Sequence, residues 1–196
     1  MSHSGPPTRA PHAVSRRRFL VASLGVGAIP IAAALPGCGA IHFDVTQAIP
    51  EQRVQGNVLA GLLGTFFPAP FALSINLEQE TKARGTGPAH SASLKSLTFR
   101  VTNISSPPKS TDNFDFVDSI EIFIESTKSG TTLTKKKVAD LQPVPKSSTM
   151  LTLRCYSEVD LVPYINEGSR ISSTASGRVP QNDVTFDGQL VVEVRV

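Results

Sequence analysis

The sequence predicts an all-β fold, an antiparallel β-sandwich with one short helix, and three observations support this prediction. Apolar and polar residues alternate with a period of two in six segments after residue 40. Clusters of Gly, Pro, Ser and Asp punctuate the chain between segments. No long helical pattern alternates with the segments. Such alternation is typical of strands with one face in a core and the other in water, and the lack of intervening helices argues against βαβ units.

The alternating segments identify the residues that we expect to face the core. In chain order they are Ile41, Phe43 and Val45; Phe71, Leu73, Ile75 and Leu77; Leu97, Phe99 and Val101; Ile120, Ile122 and Ile124; Leu151 and Leu153; and Leu190, Val192, Val194 and Val196. Seven or eight strands in two antiparallel sheets resemble immunoglobulin-like domains in architecture. The resemblance ends there, because the chain has no Trp and so lacks the Cys…Trp…Cys signature of antibody domains.

Turn residues and one helix complete the predicted domain. Asp160 can cap a helix over residues 160–165, Pro163 is tolerated in its first turn, and Gly168 can end it. Loops are predicted where turn residues cluster, at residues 85–88, 105–108, 129–130 and 187–188.

The net positive charge of the chain comes entirely from its N-terminal segment. Four Arg and no Asp or Glu precede Cys38, which leaves 15 Lys and Arg against 16 Asp and Glu from Cys38 onward. Nucleic-acid binding needs a concentrated basic face to neutralise phosphates. We therefore expect no nucleic-acid partner.

The N-terminal segment has the pattern of a cleavable secretory signal peptide. A basic stretch leads into the uncharged residues 19–35, which end in small residues. This stretch is shorter than the ~20 strongly apolar residues that span a bilayer, and it contains Gly and Pro. The pattern therefore favours a signal peptide over a permanent transmembrane helix.

The basic stretch carries a recognisable export motif. Residues 15–20 read S-R-R-R-F-L, with Arg16, Arg17, Phe19 and Leu20 at the specified positions. This resembles the S-R-R-x-F-L motif of bacterial twin-arginine signals. The resemblance implies export of a protein that has already folded in the cytoplasm.

The end of the apolar stretch resembles a lipobox, the processing site of bacterial lipoproteins. Leu35, Gly37 and Cys38 occupy its decisive positions, and Pro36 stands where Ala, Ser, Thr or Val is usual. The resemblance implies that Cys38 is acylated and becomes the first residue of the mature chain. Gly39 is not the Asp of an inner-membrane retention signal, which favours the periplasmic face of the outer membrane. The alternative is an ordinary Cys38 after a conventional cleavage site within residues 32–34.

These features predict three regions: a signal peptide at residues 1–37, a tether with the first strand at residues 38–48, and a β-sandwich at residues 49–196. The 159 residues from Cys38 onward are enough for one sizeable core.

Residues with the spacing of a catalytic or metal site are not evident, so we expect neither an enzyme nor a cofactor. His42 and His90 are isolated in the sequence, whereas a triad or zinc site needs several partners. No H-E-x-x-H, G-x-S-x-G, Walker or C-x-x-C pattern is present. Cys155 is in phase with Leu151 and Leu153 and is expected to face the core as a small hydrophobe.

Two charged clusters have a structural and a functional interpretation. Asp112, Asp115 and Asp118 could supply oxygen ligands to Ca²⁺, but their spacing does not match an EF-hand, and a solvated loop is favoured. Residues 135–137 are three lysines, which suit either anionic headgroups or, preferably, a sheet edge protected from pairing.

Residues 56–67 form an apolar run between glycines with no clear period. Such a run must be covered. One interpretation is a plug at one end of the sandwich. The other is a contact site for a partner or an apolar ligand, with Leu59, Leu62, Leu63, Phe66 and Phe67 as the contacting residues.

The function predicted from these observations is that of a non-catalytic envelope lipoprotein whose sandwich is an interaction or structural module. Its partners would be membrane lipid, through the acylated N-terminus, and an envelope protein. The alternative is a carrier of lipid or another apolar ligand. An enzyme that uses scattered carboxylates is a third hypothesis.

Overall fold

Two antiparallel β-sheets pack face to face, as the alternation predicts. The computed structural model describes residues 41–56, 68, 70–104 and 112–196. Within these ranges the elements are β1 (His42–Val54), β2 (Phe71–Leu73), α1 (Leu77–Ala83), β3 (Ser91–Val101), β4 (Val117–Ser126), β5 (Lys136–Leu141), β6 (Met150–Thr152), β7 (Arg154–Cys155), α2 (Val162–Glu167), β8 (Ser169–Gly177) and β9 (Val184–Arg195). One sheet has the order β1-β9-β3-β6 and the other β2-β8-β4-β5-β7. The all-β sandwich is confirmed.

The sandwich has two ends, which we name by where the first strand begins and stops. At the proximal end, His42 pairs with Arg195, which also pairs with Ser91. At the distal end, Val54 pairs with Val184. The 13 residues of β1 separate the two ends by about 40 Å, at ~3.3 Å per residue.

The core lies between the sheets and is formed by the inward residues of the alternating strands. Ile120, Ile122 and Ile124 are fully buried. Phe99 and Phe186 pack edge to face, with ring centroids 5.8 Å apart. Ile41, which was expected to face the core, is instead 58% exposed, because it lies just beyond the proximal end of β1.

The first strand is longer than its alternating pattern indicates. β1 continues past Thr46 to Val54, and its pairing with β9 shifts between Ile49 and Gln52. Pro50 lies in this irregularity, where a missing N–H donor is tolerated.

A side chain joins the edge strands of the two sheets. The Gln47 amide donates to the Ala72 carbonyl at 2.9 Å and accepts from the Ser74 N–H at 2.8 Å. Gln47 thereby satisfies two backbone groups at the end of β2.

The prediction of one strand through Leu77 was wrong after Leu73, because residues 74–76 have no regular secondary structure and Leu77 begins α1. Asn76 accepts a hydrogen bond from the Gln79 N–H at 2.9 Å and so caps the helix. Glu78 and Glu80 lie in the first turn and Lys82 in the last, as the helix dipole favours. Leu77 is still buried, because one helical turn can also direct it at the core.

The predicted helix near residue 160 is confirmed as α2, with a different N-terminus. Leu161 is the N-cap residue. The Asp160 carboxylate accepts from the Val162 N–H at 3.1 Å and from the Ala92 N–H at 3.0 Å, so it joins the helix start to β3. Gly168 ends the helix with a φ of 81°.

Two strands and one glycine escaped the sequence prediction. β5 and β8 are strands, although neither shows a long apolar alternation. Gly188 was expected in a turn but lies inside β9, where a Cβ atom would sit 2.7 Å from the Thr98 carbonyl oxygen. Here glycine permits close approach of two strands rather than a turn.

Candidate functional site

The described chain begins at the proximal end of the sandwich. The Val196 N–H donates to the Ile41 carbonyl at 3.0 Å, which fixes the start of β1 against the end of β9. The residues assigned to export and acylation lie outside the described residues; they are Arg16, Arg17, Phe19, Leu20, Leu35, Gly37 and Cys38. In the sequence, only residues 39–41 separate Cys38 from β1.

A cleft of about 390 Å³ opens at the proximal end between α1, the loop that follows it and α2. Its apolar lining includes Leu77, Pro88, Ala89 and Val162. Its polar residues are Glu78, Thr81, Lys82, Thr86 and Asn166, with Gly87 in the loop.

The loop beside this cleft is held to α1 by a threonine pair. The backbone N–H and the hydroxyl of Thr86 both donate to the Thr81 carbonyl, at 3.1 Å each. Gly85 makes the turn with a φ of +64°, a conformation that favours glycine. The loop is therefore shaped by the end of α1.

An arginine connects α1 to the first strand. The Arg84 guanidinium lies 4.2 Å from the centroid of the half-buried Phe43 ring. It also donates to the Glu80 carboxylate and, at 2.9 Å, to the Glu80 carbonyl. A cation over an aromatic face is attractive, so this contact positions α1 on β1.

The distal end carries a second cleft, of about 410 Å³, with a polar lining. Asn113, Asp115, Arg178 and Gln181 line it, with Phe116, Val179 and Pro180. The Arg178 N–H donates to the Phe116 carbonyl at 2.8 Å.

The acidic loop at the distal end does not converge on one point. The Asp115 carboxylate accepts from the Ser147 N–H at 2.6 Å. Asp118 is exposed and lies 3.9 Å from Lys146. Asp112 is buried rather than solvated. Across the described residues no group of three or more His, Cys, Asp or Glu side chains could hold a metal ion.

A charged cluster surrounds Tyr156 on the five-stranded sheet. The Tyr156 hydroxyl donates to the Asp140 carboxylate at 2.6 Å, and Arg154 donates to the Tyr156 oxygen at 2.7 Å. Partial burial alone would raise the pKa of Asp140, but hydrogen bonds from Tyr156 and Arg154 outweigh it and hold the pKa below its usual range. Asp140 is thus a fixed anion that orients its neighbours.

The three lysines of residues 135–137 lie at the start of β5. The two-residue β7 pairs with Ala139 and Asp140, beyond the lysines. The Lys137 ammonium lies 3.0 Å from Glu121, and the Lys135 ammonium lies 4.8 Å from the Phe123 ring centroid. This placement agrees with the sheet-edge interpretation.

Cys155 and the two histidines show no catalytic geometry in the described part of the chain. The prediction that Cys155 faces the core holds only in part, because the side chain is half-buried. The chain moves from one sheet to the other between Leu151 and Cys155. Burial raises the pKa of the Cys155 thiol, which opposes formation of a reactive thiolate. His42 and His90 are both exposed, as expected.

The apolar contact residues Leu59, Leu62, Leu63, Phe66 and Phe67 lie outside the described residues. Residues on either side of them are held by the sandwich. The Gly56 N–H donates to the Asp183 carboxylate at 2.8 Å. The Pro68 carbonyl accepts from the Ser173 hydroxyl at 2.6 Å.

Comparisons with known proteins leave the family open. No protein-family model matches the chain, and no curated protein matches it. A decameric BFDV capsid protein has a TM-score of 0.33 and 12% identity, covering 81% of this chain and 100% of its own. A 60-mer BFDV capsid protein has a TM-score of 0.28 and 11% identity, covering 80% and 94%. Similarities this weak carry no argument about function or assembly.

Sequence reasoning missed the proximal cleft and the contact between Phe43 and Arg84. The cleft needs α1, which the alternation concealed. The Asn76 cap followed by two glutamates was an available signal for that helix. No helix in the described ranges has the length and apolar character that crossing a membrane would require.

Proposed function

We propose that this protein is a membrane-anchored lipoprotein of the bacterial cell envelope, held by an acylated Cys38. In this proposal the β-sandwich is a non-catalytic interaction or structural module at the periplasmic face of the outer membrane. Its partners are membrane lipid and an envelope protein.

The observation that carries the proposal is the position of the first strand relative to Cys38. The first described strand, β1, begins four residues after Cys38. Cleavage before Cys38 would therefore remove none of the described sheet, and it would leave the acylated residue directly beside a folded domain. Acylation of Cys38 would therefore be compatible with an intact sandwich.

The polar groups of the sandwich support a non-catalytic role. Exposed charges are largely arranged as opposite-charge pairs, such as Lys95 with Asp44 at 2.7 Å and Arg100 with Asp187 at 2.8 Å. The Cys155 thiol has a raised pKa. Neither feature supplies an activated nucleophile beside a general base.

Membrane fractionation with metabolic lipid labelling tests the anchor. We expect the wild-type protein in the membrane fraction and labelled by fatty acid, whereas Cys38→Ala is unlabelled and released. Cys155→Ala is the matched control, and it should remain labelled and membrane-bound. Equal labelling of Cys38→Ala and wild type would reject the proposal.

Export by the twin-arginine route has its own test. Changing Arg16 and Arg17 together to Lys should leave unprocessed precursor in the cytoplasm, since the motif resembles signals that depend on this pair. Normal processing of the double variant would contradict the export assignment and leave the acylation proposal standing.

The carrier function remains the second proposal, and the proximal cleft supports it. Its volume of about 390 Å³ lies within the usual range of small-molecule sites, about 300–1,000 Å³. Native mass spectrometry of protein purified from membranes should then show a copurifying lipid. The variant Val162→Glu should lose that lipid if the cleft binds it.

A further inference from the structure

We infer that the proximal end of the sandwich lies against the phospholipid headgroup layer, so that the domain stands upright on the membrane. This orientation rests on the proposed acylation of Cys38, and it specifies the surface of the domain that contacts the lipid. The contacting surface consists of Ile41, Lys82, Arg84 and the 85–90 loop.

The tether is too short to hold the domain away from the bilayer. Four residue steps join Cys38 to His42, and an extended chain spans at most ~3.6 Å per step, so the two Cα atoms lie within about 14 Å. The headgroup region of one leaflet is itself about 5–8 Å thick. His42 therefore lies no more than about 9 Å beyond that region.

The neighbours of His42 are brought to the same level by the sheet. Arg195 pairs with His42, and the His90 N–H donates to the Arg195 carbonyl at 2.8 Å. Adjacent strands are ~4.8 Å apart. The loop that precedes β3 and lines the proximal cleft thus lies roughly two strand spacings from the tether.

The side chains at this end suit a membrane interface. Ile41 is 58% exposed beside the tether. Arg84 covers the Phe43 ring while it pairs with Glu80, and Lys82 is exposed. Pro88 and Ala89 add apolar surface at the mouth of the cleft. Basic side chains with apolar stems and neighbours are favoured where headgroups meet acyl chains.

The two broad faces of the sandwich are less suited to contact lipid. The four-stranded sheet exposes ion pairs such as Lys95 with Asp44. The five-stranded sheet exposes Lys137 with Glu121 at 3.0 Å and Arg170 with Glu125 at 3.0 Å. Laying either face on the membrane would desolvate such pairs at a cost. Standing on the proximal end keeps these pairs in water and leaves the Arg84–Glu80 and Arg195–Glu193 pairs near the headgroups.

The absence of Trp from the sequence provides a clean test. Pro88→Trp places one reporter at the proximal end, and Gln181→Trp places a matched reporter at the distal end. Each acylated protein is incorporated into phosphatidylethanolamine–phosphatidylglycerol vesicles that contain a nitroxide-headgroup lipid. We expect the reporter at residue 88 to lose most of its emission and the reporter at residue 181 to keep it.

An introduced Trp could itself draw the loop to the lipid, so chemical footprinting of the wild-type protein is the control. An amine-reactive reagent should modify Lys82 more slowly on vesicles than after detergent release, while Lys146 at the distal end reacts equally in both. Equal quenching of the two reporters, or equal modification of Lys82 in both states, would overturn the upright orientation.

The test separates this inference from the proposed function. If mass analysis finds Cys38 unmodified, the natural anchor is rejected, and the Cys155→Ser protein is coupled through Cys38 to a maleimide lipid for the same measurement. Quenching confined to residue 88 would then support the orientation despite a failed anchor. Quenching at residue 181 in an acylated protein would reject the orientation alone.

Discussion

The two ends of the sandwich are built from different kinds of contact. The distal end is closed by buried rings. The ring centroid of Phe114 lies 6.2 Å from the ring centroids of both Phe116 and Phe186. The proximal end instead collects short helices, a half-buried Phe43 under Arg84 and an exposed Ile41. The distal end therefore contributes more to holding the sheets together, whereas the proximal end is free to present a surface.

The largest expected difference between the ends comes from removing an aromatic ring. Phe114→Ala should lower the free energy of unfolding by about 3–5 kcal/mol, because it leaves a cavity among fully buried rings. Phe43→Ala at the proximal end should cost about 2 kcal/mol, because the half-buried ring loses part of its apolar burial and its contact with Arg84. Urea denaturation of both variants measures the two losses, and equal losses would contradict the comparison.

Substitution of one glycine at each end compares the two ends with a smaller change in side-chain volume. A Cβ atom on Gly177, at a φ of +147°, would lie 2.1 Å from the Phe116 carbonyl oxygen. Gly177→Ala should therefore cost about 3 kcal/mol through strain and displacement of β4. Gly85 also has a positive φ, but no atom lies within 4 Å of the position that a Cβ would take there.

Gly85→Ala should accordingly cost only about 1 kcal/mol, the penalty of a left-handed alanine. Thermal unfolding of the Gly85→Ala and Gly177→Ala variants shows which of the two loses more stability. A Gly85 variant as unstable as the Gly177 variant would show that the proximal loop is under more constraint than its contacts indicate.

The smallest expected effect is an acid-dependent one at the distal end. Hydrogen bonds, first from the Gly56 N–H and then from Arg53, hold the pKa of Asp183 below its usual range. A lowered folded-state pKa stabilises the fold above the unfolded value, near ~3.9, and this stability is lost as the pH falls through the folded value.

Asp183→Asn should therefore destabilise the protein at pH 7. Below pH ~4 the stability of this variant should depend less on pH than that of the wild type. The melting temperature measured from pH 7 down to pH 3 checks this. Asp118→Asn is the control, since that carboxylate is exposed and 3.9 Å from Lys146. If the melting temperature of Asp183→Asn depended on pH as the wild type does, Asp183 would not be the source of this acid-dependent stability.

The sequence predicted the strands whose inward faces carry large apolar residues. Leu97, Phe99 and Val101 in β3, and the three isoleucines of β4, occupy the core as expected. In these strands every second side chain is large, apolar and buried, so the alternation in the sequence is sufficient to predict both the strand and its inward face.

The pattern fails where packing uses small residues. In β8 only Ile171 and Ala175 give an apolar signal, because Ser169 and Ser172 fill the other buried positions. This strand lies between β2 and β4, so neighbours rather than its own hydrophobicity fix it. Strand pairing between distant segments cannot be inferred from local alternation.

The candidate surfaces were less predictable than the fold. The short distance from Cys38 to a strand beginning near Ile41 is visible in the sequence. The proximity of Arg84 to Phe43, and of the 85–90 loop to the start of β1, depends on which strands pair. No spacing rule contains that information.

Intact-mass analysis of the protein recovered from native membranes and from the soluble fraction tests whether Cys38 is the membrane anchor. We expect a membrane-bound chain that starts at Cys38 and carries a diacylglycerol thioether on that residue. A chain with an unmodified residue 38, recovered from the soluble fraction without detergent, would contradict it.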